Sequence, residues 1–530
     1  MLRALSDKLL IAALAAGITL RICYCLYVQP MWEDSLITLR VVDNLIHNGT
    51  LSYNHPEPVY AFTSPFNALL IMYPAQALFE QGVNAVRLAS LLAFAASLIL
   101  AYYTALTAPF RLSRVGLAIW LGLIAVYVPG IYFPMGGMES QFAVLAAFAA
   151  LYATLNERDG LLGIAGGIGL LVRPDMAIFI ASSVVLRAFK KPMAAVKSGL
   201  IMTLIYGPWL VFSWLYFGSP VPHTVTAKSL IDKPDMTAGN YWWTLQKIFS
   251  PTTSSGLGGL TDFIAIATTA TSLTLLSVSA WSIWQSARPH GRNEYNWWKK
   301  SRGIAYLFCA PAYVIAFSLY MAFAWAHAPW YHIPAFLIAA GAIAHSYDYL
   351  ARFRWPGKHP LLAVVLTMGF AVPHIGYAAL KIYRDRLVQQ HIENDVRAKT
   401  GGWLQANVPA GETVYLEALG YIGYYAGLQV NIVDWPGLAS PATVAALRTR
   451  APENRYLPDL ILPLKPDWIV MRPYNYRYAL GRNDSTARFL RECYVEATTI
   501  SLSPTAPRLF FLQGHMDAQF TVLRRVNFCI

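Results

Sequence analysis

Charge is what this chain of 530 residues has least of: only 13% of it is Asp, Glu, Lys or Arg, about half the fraction usual in a soluble protein. Apolar residues make up 56% and recur in runs of roughly twenty, each long enough to cross a bilayer. A soluble globular chain is thereby excluded. Cysteine is sparse, at five residues, and no Cys/His spacing suits zinc. No nucleotide-binding loop is present. Gly163, Gly166, Gly167 and Gly169 lie in an apolar run, where close helix packing is the simpler explanation. Lys and Arg outnumber Asp and Glu by 41 to 28, but they do not alternate with aromatics along a soluble face, which argues against nucleic acid. The mid-span regions are nearly free of charge, apart from Arg21 in the outer half of the first span, where it can snorkel outward, and a convincing internal repeat, the other usual mark of a transporter, is missing. So is the polar helix face that a channel needs.

What is present is a polytopic helical pattern. Spans are expected at 9–28, 85–107, 115–134, 138–156, 160–172, 174–189, 196–217, 262–286, 303–325, 330–350 and 360–380. The first apolar run is too long for a cleaved signal peptide, so it reads as an uncleaved span. With the N-terminus inside, basic residues fall in one set of loops: Arg111 and Arg114; Arg158; Arg187, Lys190, Lys191 and Lys197; Arg288, Arg292, Lys299, Lys300 and Arg302; Arg352, Arg354 and Lys358. That one-sided distribution obeys the positive-inside rule. It requires a break at Arg173-Pro174-Asp175, which Pro174 supplies, and it requires 65–80 to lie along the outer interface. After about residue 381 charge returns. Short strands at 413–417, 429–433, 467–471, 494–500 and 509–512, with helices near 386–406, 440–450 and 484–493, predict a small α/β domain. The expected organisation is a transmembrane module, 1–381, with a first outer loop at 29–84, and an extracytoplasmic domain, 382–530. Cys493 and Cys529 fall in that domain, where an oxidising compartment permits a disulfide.

The carboxylate pair Glu33-Asp34 follows the first span at the outer membrane boundary, where acidic groups are costly unless solvated or paired. The same face gathers Glu139, Arg173, His223, Lys228, Trp330, Tyr331 and His332. Polar chemistry at one interface beneath a folded domain suits an enzyme acting on a lipid-linked substrate. Each residue also has a plainer reading. Glu33 and Asp34 suit a helix N-terminus. Arg40 can pair with Glu33, and Arg173 with Asp175 or with backbone at the break. Lys228 can be an interfacial lysine, the histidines structural, and the aromatics ordinary interface residues.

The order Glu33-Asp34-Ser35-Leu36-Ile37-Thr38-Leu39-Arg40, Asn44-Leu45, Gly49, Tyr53-Asn54 and Tyr60-Ala61-Phe62-Thr63-Ser64-Pro65 resembles the first outer loop of GT-C glycosyltransferases. The resemblance is closest to bacterial arabinofuranosyltransferases of the terminal β-1,2 type. Gly137-Met138-Glu139-Ser140, Arg173-Pro174-Asp175, Pro222-His223-Thr224 with Ala227-Lys228, and Trp330-Tyr331 with Pro334 continue it. So do Gly420, Gly423-Tyr424-Tyr425 and Asp434-Trp435-Pro436-Gly437-Leu438. It therefore extends over most of the chain.

The resemblance implies a GT-C fold in a bacterial inner membrane, a polyprenyl-phosphate sugar donor, an inverting mechanism and an extracytoplasmic glycan or protein acceptor. Arabinofuranose is the expected sugar; a hexose or aminoarabinose transferase of the same fold and a non-catalytic flippase are the rivals. Asp34 is the expected base, with Glu33 as runner-up. Arg40, Arg173, Lys228 and His332 are expected at the phosphate, and His223, Glu139, Tyr331 and Trp330 at the sugar, phosphate or acceptor. No obligatory metal is expected, because no dense acidic cluster demands one.

Overall fold

The computed structural model describes residues 2–107, 111–231, 238–250, 259–287, 311–323, 329–352 and 361–526. Within them, five helices are long and apolar enough to cross a membrane: Ser6–Val28, Gly82–Leu106, Arg114–Met135, Pro192–Phe217 and Phe263–Gln285. Shorter apolar helices occupy Ser140–Leu155 and Asp159–Val172. Met176–Lys190, Pro311–Phe323, Ile333–Arg352 and Leu361–Val388 are helical at the other expected spans. The segment expected at the interface is a π turn, Phe66–Met72, running into the short helix Tyr73–Phe79. The break before Met176 has the cause read from sequence. Arg173 is extended (φ −159°, ψ 133°), as a residue preceding proline is pushed to be.

Helix α1 (Leu2–Val28) leads through a short turn into α2 (Glu33–Asn48). Both carboxylates of the motif sit in the first turn of α2, where the helix dipole favours negative charge. Gly49 ends α2 at φ +69°, a left-handed conformation that glycine adopts without strain. Glycine also decides how tightly Asp159–Val172 packs on Pro192–Phe217. A Cβ at Gly163 or Gly167 would come within 2.7 Å of Ile201 or Ile205, so these helices touch backbone to side chain, the packing read from the apolar setting of those glycines.

Helix Leu361–Val388 continues through a π segment, Gln389–Ala398, into Lys399–Asn407. The helical module and the C-terminal domain are thus joined by one unbroken helical run, and the expected boundary at 381/382 falls inside it. The domain holds a five-stranded sheet of order β2-β1-β3-β5-β4: β1 (Thr413–Leu416), β2 (Asn431–Asp434), β3 (Trp468–Met471), β4 (Tyr494–Ser501) and β5 (Gln519–Arg525). β1 pairs in parallel with β2 and β3; β5 runs antiparallel to β3 and β4.

The expected strand at 509–512 is absent, and the last strand lies further along the chain. Leu509 is the extended residue that caps a short helix, Phe510–Gln513, and the fifth strand is β5. A four-residue apolar run has no period of its own, whereas β5 is buried on successive residues Phe520 to Leu523 because it lies between β3 and β4. Cys493 is disulfide-bonded, while its expected partner, Cys529, lies outside the described residues.

Candidate active site

The two neighbouring carboxylates at the start of α2 have different surroundings. Glu33 accepts from the Arg397 guanidinium at 2.5 Å and from the backbone N–H of Gly420 at 3.0 Å. Arg397 also binds Glu393 and Asp517, and Asp517 binds Arg472, which binds Glu417. Two arginines hold the Asp517 carboxyl down at about 2. Glu33 is therefore one end of a charged network that ties the loop after α1 to the C-terminal domain.

Asp34 has no such partner. Among the described residues its carboxylate accepts no hydrogen bond, and its side chain is only half-buried. Loss of hydration, helped by the Glu33 charge and opposed by Lys228, pushes its pKa up to about 6. Lys228, on the helix His223–Leu230, faces it beyond contact distance and has no ion-pair or hydrogen-bond partner among the described residues. A carboxylate and an ammonium that face each other without touching leave room for a ligand.

Around this gap stand Glu139, Arg173, Asp175 and Tyr331. Glu139 is buried just ahead of helix Ser140–Leu155, within electrostatic reach of Arg173, Asp34 and Asp175. Tyr331 feels the same four charges. Arg173 is buried and largely engaged. It donates to both oxygens of Asp175 (2.9 and 2.5 Å) and to the Trp330 carbonyl (3.0 Å), and lies over the Tyr331 ring at 4.5 Å. It fixes the turn 329–332 against the 173–175 break, and so positions Tyr331. Trp330 packs edge-on against Trp32 at 5.4 Å and also against Phe133.

Three expected residues stand apart from this group. Arg40 is fully buried, donating to the carbonyls of Tyr53 (3.0 Å), Gly427 (2.8 Å), Val430 (2.8 Å) and Gly423. Its donors are spent on backbone, so it joins loop to domain and is not open to a phosphate. His223 turns towards Asp434 and Ser440 of the domain, with its pKa lowered mainly by burial. His332 is buried, edge-on to Phe317, and lines a separate cavity. The sequence reading missed Arg397; its signal, Glu393 and Arg397 spaced i, i+4, names one partner and not Glu33.

Residues 382–521 match a domain of unknown function, DUF8728. No curated protein matches the chain in sequence. Among solved structures, apo ArnT from Cupriavidus metallidurans superposes with a TM-score of 0.53 at 13% identity, over 97% of each chain. The same protein bound to undecaprenyl phosphate gives 0.51, over 98% of each. Archaeal oligosaccharyltransferase AglB from Archaeoglobus fulgidus, in complex with an inhibitory peptide and a dolichol-phosphate, gives 0.54 at 14% identity, over 95% of this chain and 74% of that one. The chain has the GT-C fold. These neighbours are glycosyltransferases. Among the described residues no group of three or more His, Cys, Asp or Glu is arranged to hold a metal ion.

Proposed function

We propose that the chain is an inverting glycosyltransferase of a bacterial inner membrane, which moves a pentose, arabinofuranose, from polyprenyl phosphate to an extracytoplasmic glycan or protein. The observation that carries this reading is the open pair Asp34 and Lys228. Asp34 takes the proton of an acceptor hydroxyl as that oxygen attacks the anomeric carbon. The bond from that carbon to the phosphate oxygen breaks, and the polyprenyl phosphate leaves with the bonding electrons. Lys228 meets the charge that grows on the leaving phosphate. A pKa near 6 suits a base, since it is ionised at neutral pH yet holds a proton better than an ordinary carboxylate. Arg173 adds positive potential and, by fixing the 329–332 turn, presents Tyr331 to the sugar; Glu139 orients the substrate from the opposite wall. The lipid phosphates held by ArnT and AglB support the donor class, and the motif order over most of the chain supports the pentose.

The test uses the full chain in nanodiscs with synthetic polyprenyl-phosphate arabinofuranose, aminoarabinose, mannose, glucose and galactose, and simple glycan acceptors. Glycoside formation is followed by mass spectrometry beside Asp34→Asn. Transfer of arabinofuranose that disappears in the variant is expected. Transfer of another sugar alone overturns the pentose; no glycoside from any donor, with labelled donor crossing the bilayer when the same chain is reconstituted in sealed vesicles, overturns the enzyme in favour of a flippase.

A further inference from the structure

The turn that brings the chain into Asp34 is gripped by residues 389–421. Met31 donates its backbone N–H to Gln389 Oε1 at 3.0 Å and accepts from the Tyr421 hydroxyl at 3.0 Å, and Gln389 Nε2 donates to that hydroxyl at 2.8 Å. Glu33 accepts from Arg397 on one carboxylate oxygen and from the Gly420 N–H on the other. Gln389, Glu393 and Arg397 stand four residues apart along the π segment Gln389–Ala398, a form of helix frequent at functional sites. Gly420 has φ −64°, which any residue adopts, so its missing side chain serves space and not conformation: a Cβ there would run into the backbone and side chain of Glu33. On its other side the turn is fixed to the helical module, where the Trp32 N–H and Ser35 Oγ both donate to the Gly136 carbonyl at 2.9 Å. Asp34 itself is left facing Lys228, Glu139 and Tyr331, with Glu33 the charge beside it on its own helix. Glu393, Glu417 and Tyr53 lie within electrostatic reach of Glu33, and Arg397 is the cation bound to it. A neighbouring carboxylate raises the proton affinity of the next one, by an amount that depends on how well its own charge is met.

We propose that Arg397 and Gly420 are positioning residues for Asp34. Acting through Glu33, they fix where the first turn of α2 begins and keep the Glu33 charge from reaching Asp34 at full strength. The C-terminal domain thereby takes part in the reaction without touching the reacting atoms. That part in transfer rests on Asp34 being the base; the coupling of Asp34 to Arg397 does not.

The coupling is read without any substrate. A hydrophobic carbodiimide labels protonated carboxyls, and its labelling of Asp34 is followed against pH by peptide mass spectrometry on the full chain in non-ionic detergent. The wild-type midpoint is expected at about pH 6. Glu33→Gln is expected to move it down and Arg397→Gln to move it up, each by about half a unit to one and a half units; Arg397→Lys, which keeps the cation, moves it less than either. Opposite shifts from the two ends of one ion pair are what a merely structural pair does not give. Gly420→Ala changes no charge and is expected to lower kcat by about 10–100-fold with the donor KM unchanged. Midpoints that stay put or move together in Glu33→Gln and Arg397→Gln overturn the coupling and leave Asp34 as the proposed base. Where Arg397→Gln does not fold, an unmoved midpoint in Glu33→Gln overturns it alone. Opposite shifts together with wild-type transfer by Asp34→Asn overturn the base and leave the coupling standing. A wild-type kcat in Gly420→Ala overturns the part given to Gly420.

Discussion

Glu33 and Asp34 are neighbours on one helical turn, yet one is fastened and the other is open. Glu33 belongs to a network running through Arg397, Asp517, Arg472 and Glu417, and its surroundings are complete. Asp34 faces Lys228 across a gap and is raised by burial instead of being satisfied by a partner. The same contrast separates Arg40, spent on four carbonyls, from Lys228, spent on none. Charged groups with filled coordination hold this molecule together; charged groups left facing space are where chemistry is to be sought.

That contrast can be broken by substitution. Asp34→Asn removes the open carboxylate and is expected to cost about 10²–10⁴-fold in transfer rate, with thermal unfolding in detergent unchanged. A comparable fall in unfolding temperature would make Asp34 structural after all. Arg397→Ala is expected to act chiefly on stability. It leaves Glu33, Glu393 and Asp517 without their shared cation and destabilises the fold by about 3–5 kcal/mol, the usual cost of breaking a buried pair, read as a lower unfolding temperature; an unshifted transition would show that the network is dispensable. Lys228→Gln is expected to weaken donor binding by about 10–100-fold, in line with about 1.5–3 kcal/mol for a hydrogen bond to a charged group, again without loss of stability.

Titration sharpens the comparison further. Asp34 holds its proton below about 6, so transfer should fall about tenfold per unit as pH drops below that value and level off above it. Asp517 behaves oppositely: its pKa is depressed to about 2, so its stabilising charge is fully present at neutral pH and is lost as pH falls from the ordinary carboxylate range towards 2. Activity should therefore decline on acidification well before stability does. Coincident losses would mean that the acid limb reports unfolding.

How much of this was legible in the sequence follows from how local each signal is. Apolar runs of span length, the proline break at Pro174 and the basic loops are local patterns, and helices occupy the expected positions. Asp34 drew attention because a carboxylate beside a membrane span is costly whatever surrounds it. Asp34, Glu139, Arg173, Lys228 and Tyr331, far apart in sequence, lie within electrostatic reach of one another. What could not be read was commitment. Arg40 looks free in sequence, since the carbonyls it binds at Gly423, Gly427 and Val430 lie more than 380 residues away; the partner of Glu33 lies 364 residues away. Local spacing does not encode such pairings. The fifth strand failed for the related reason that 509–512 and 519–525 are both short apolar runs, and only the neighbouring strands β3 and β4 choose between them.

The side-chain amide of Asn54 meets the outer rim of the sheet, donating to the Ile432 carbonyl at 2.7 Å and accepting from its N–H at 3.1 Å. One residue of the first loop thus imitates a sixth strand at the point where β2 would otherwise present its backbone to water. Residues 382–530 expressed alone would lose that stopper together with Arg40, uncovering a strand edge of the kind that recruits another copy. The isolated domain should therefore self-associate as its concentration rises, and a peptide spanning residues 50–60 should suppress the association.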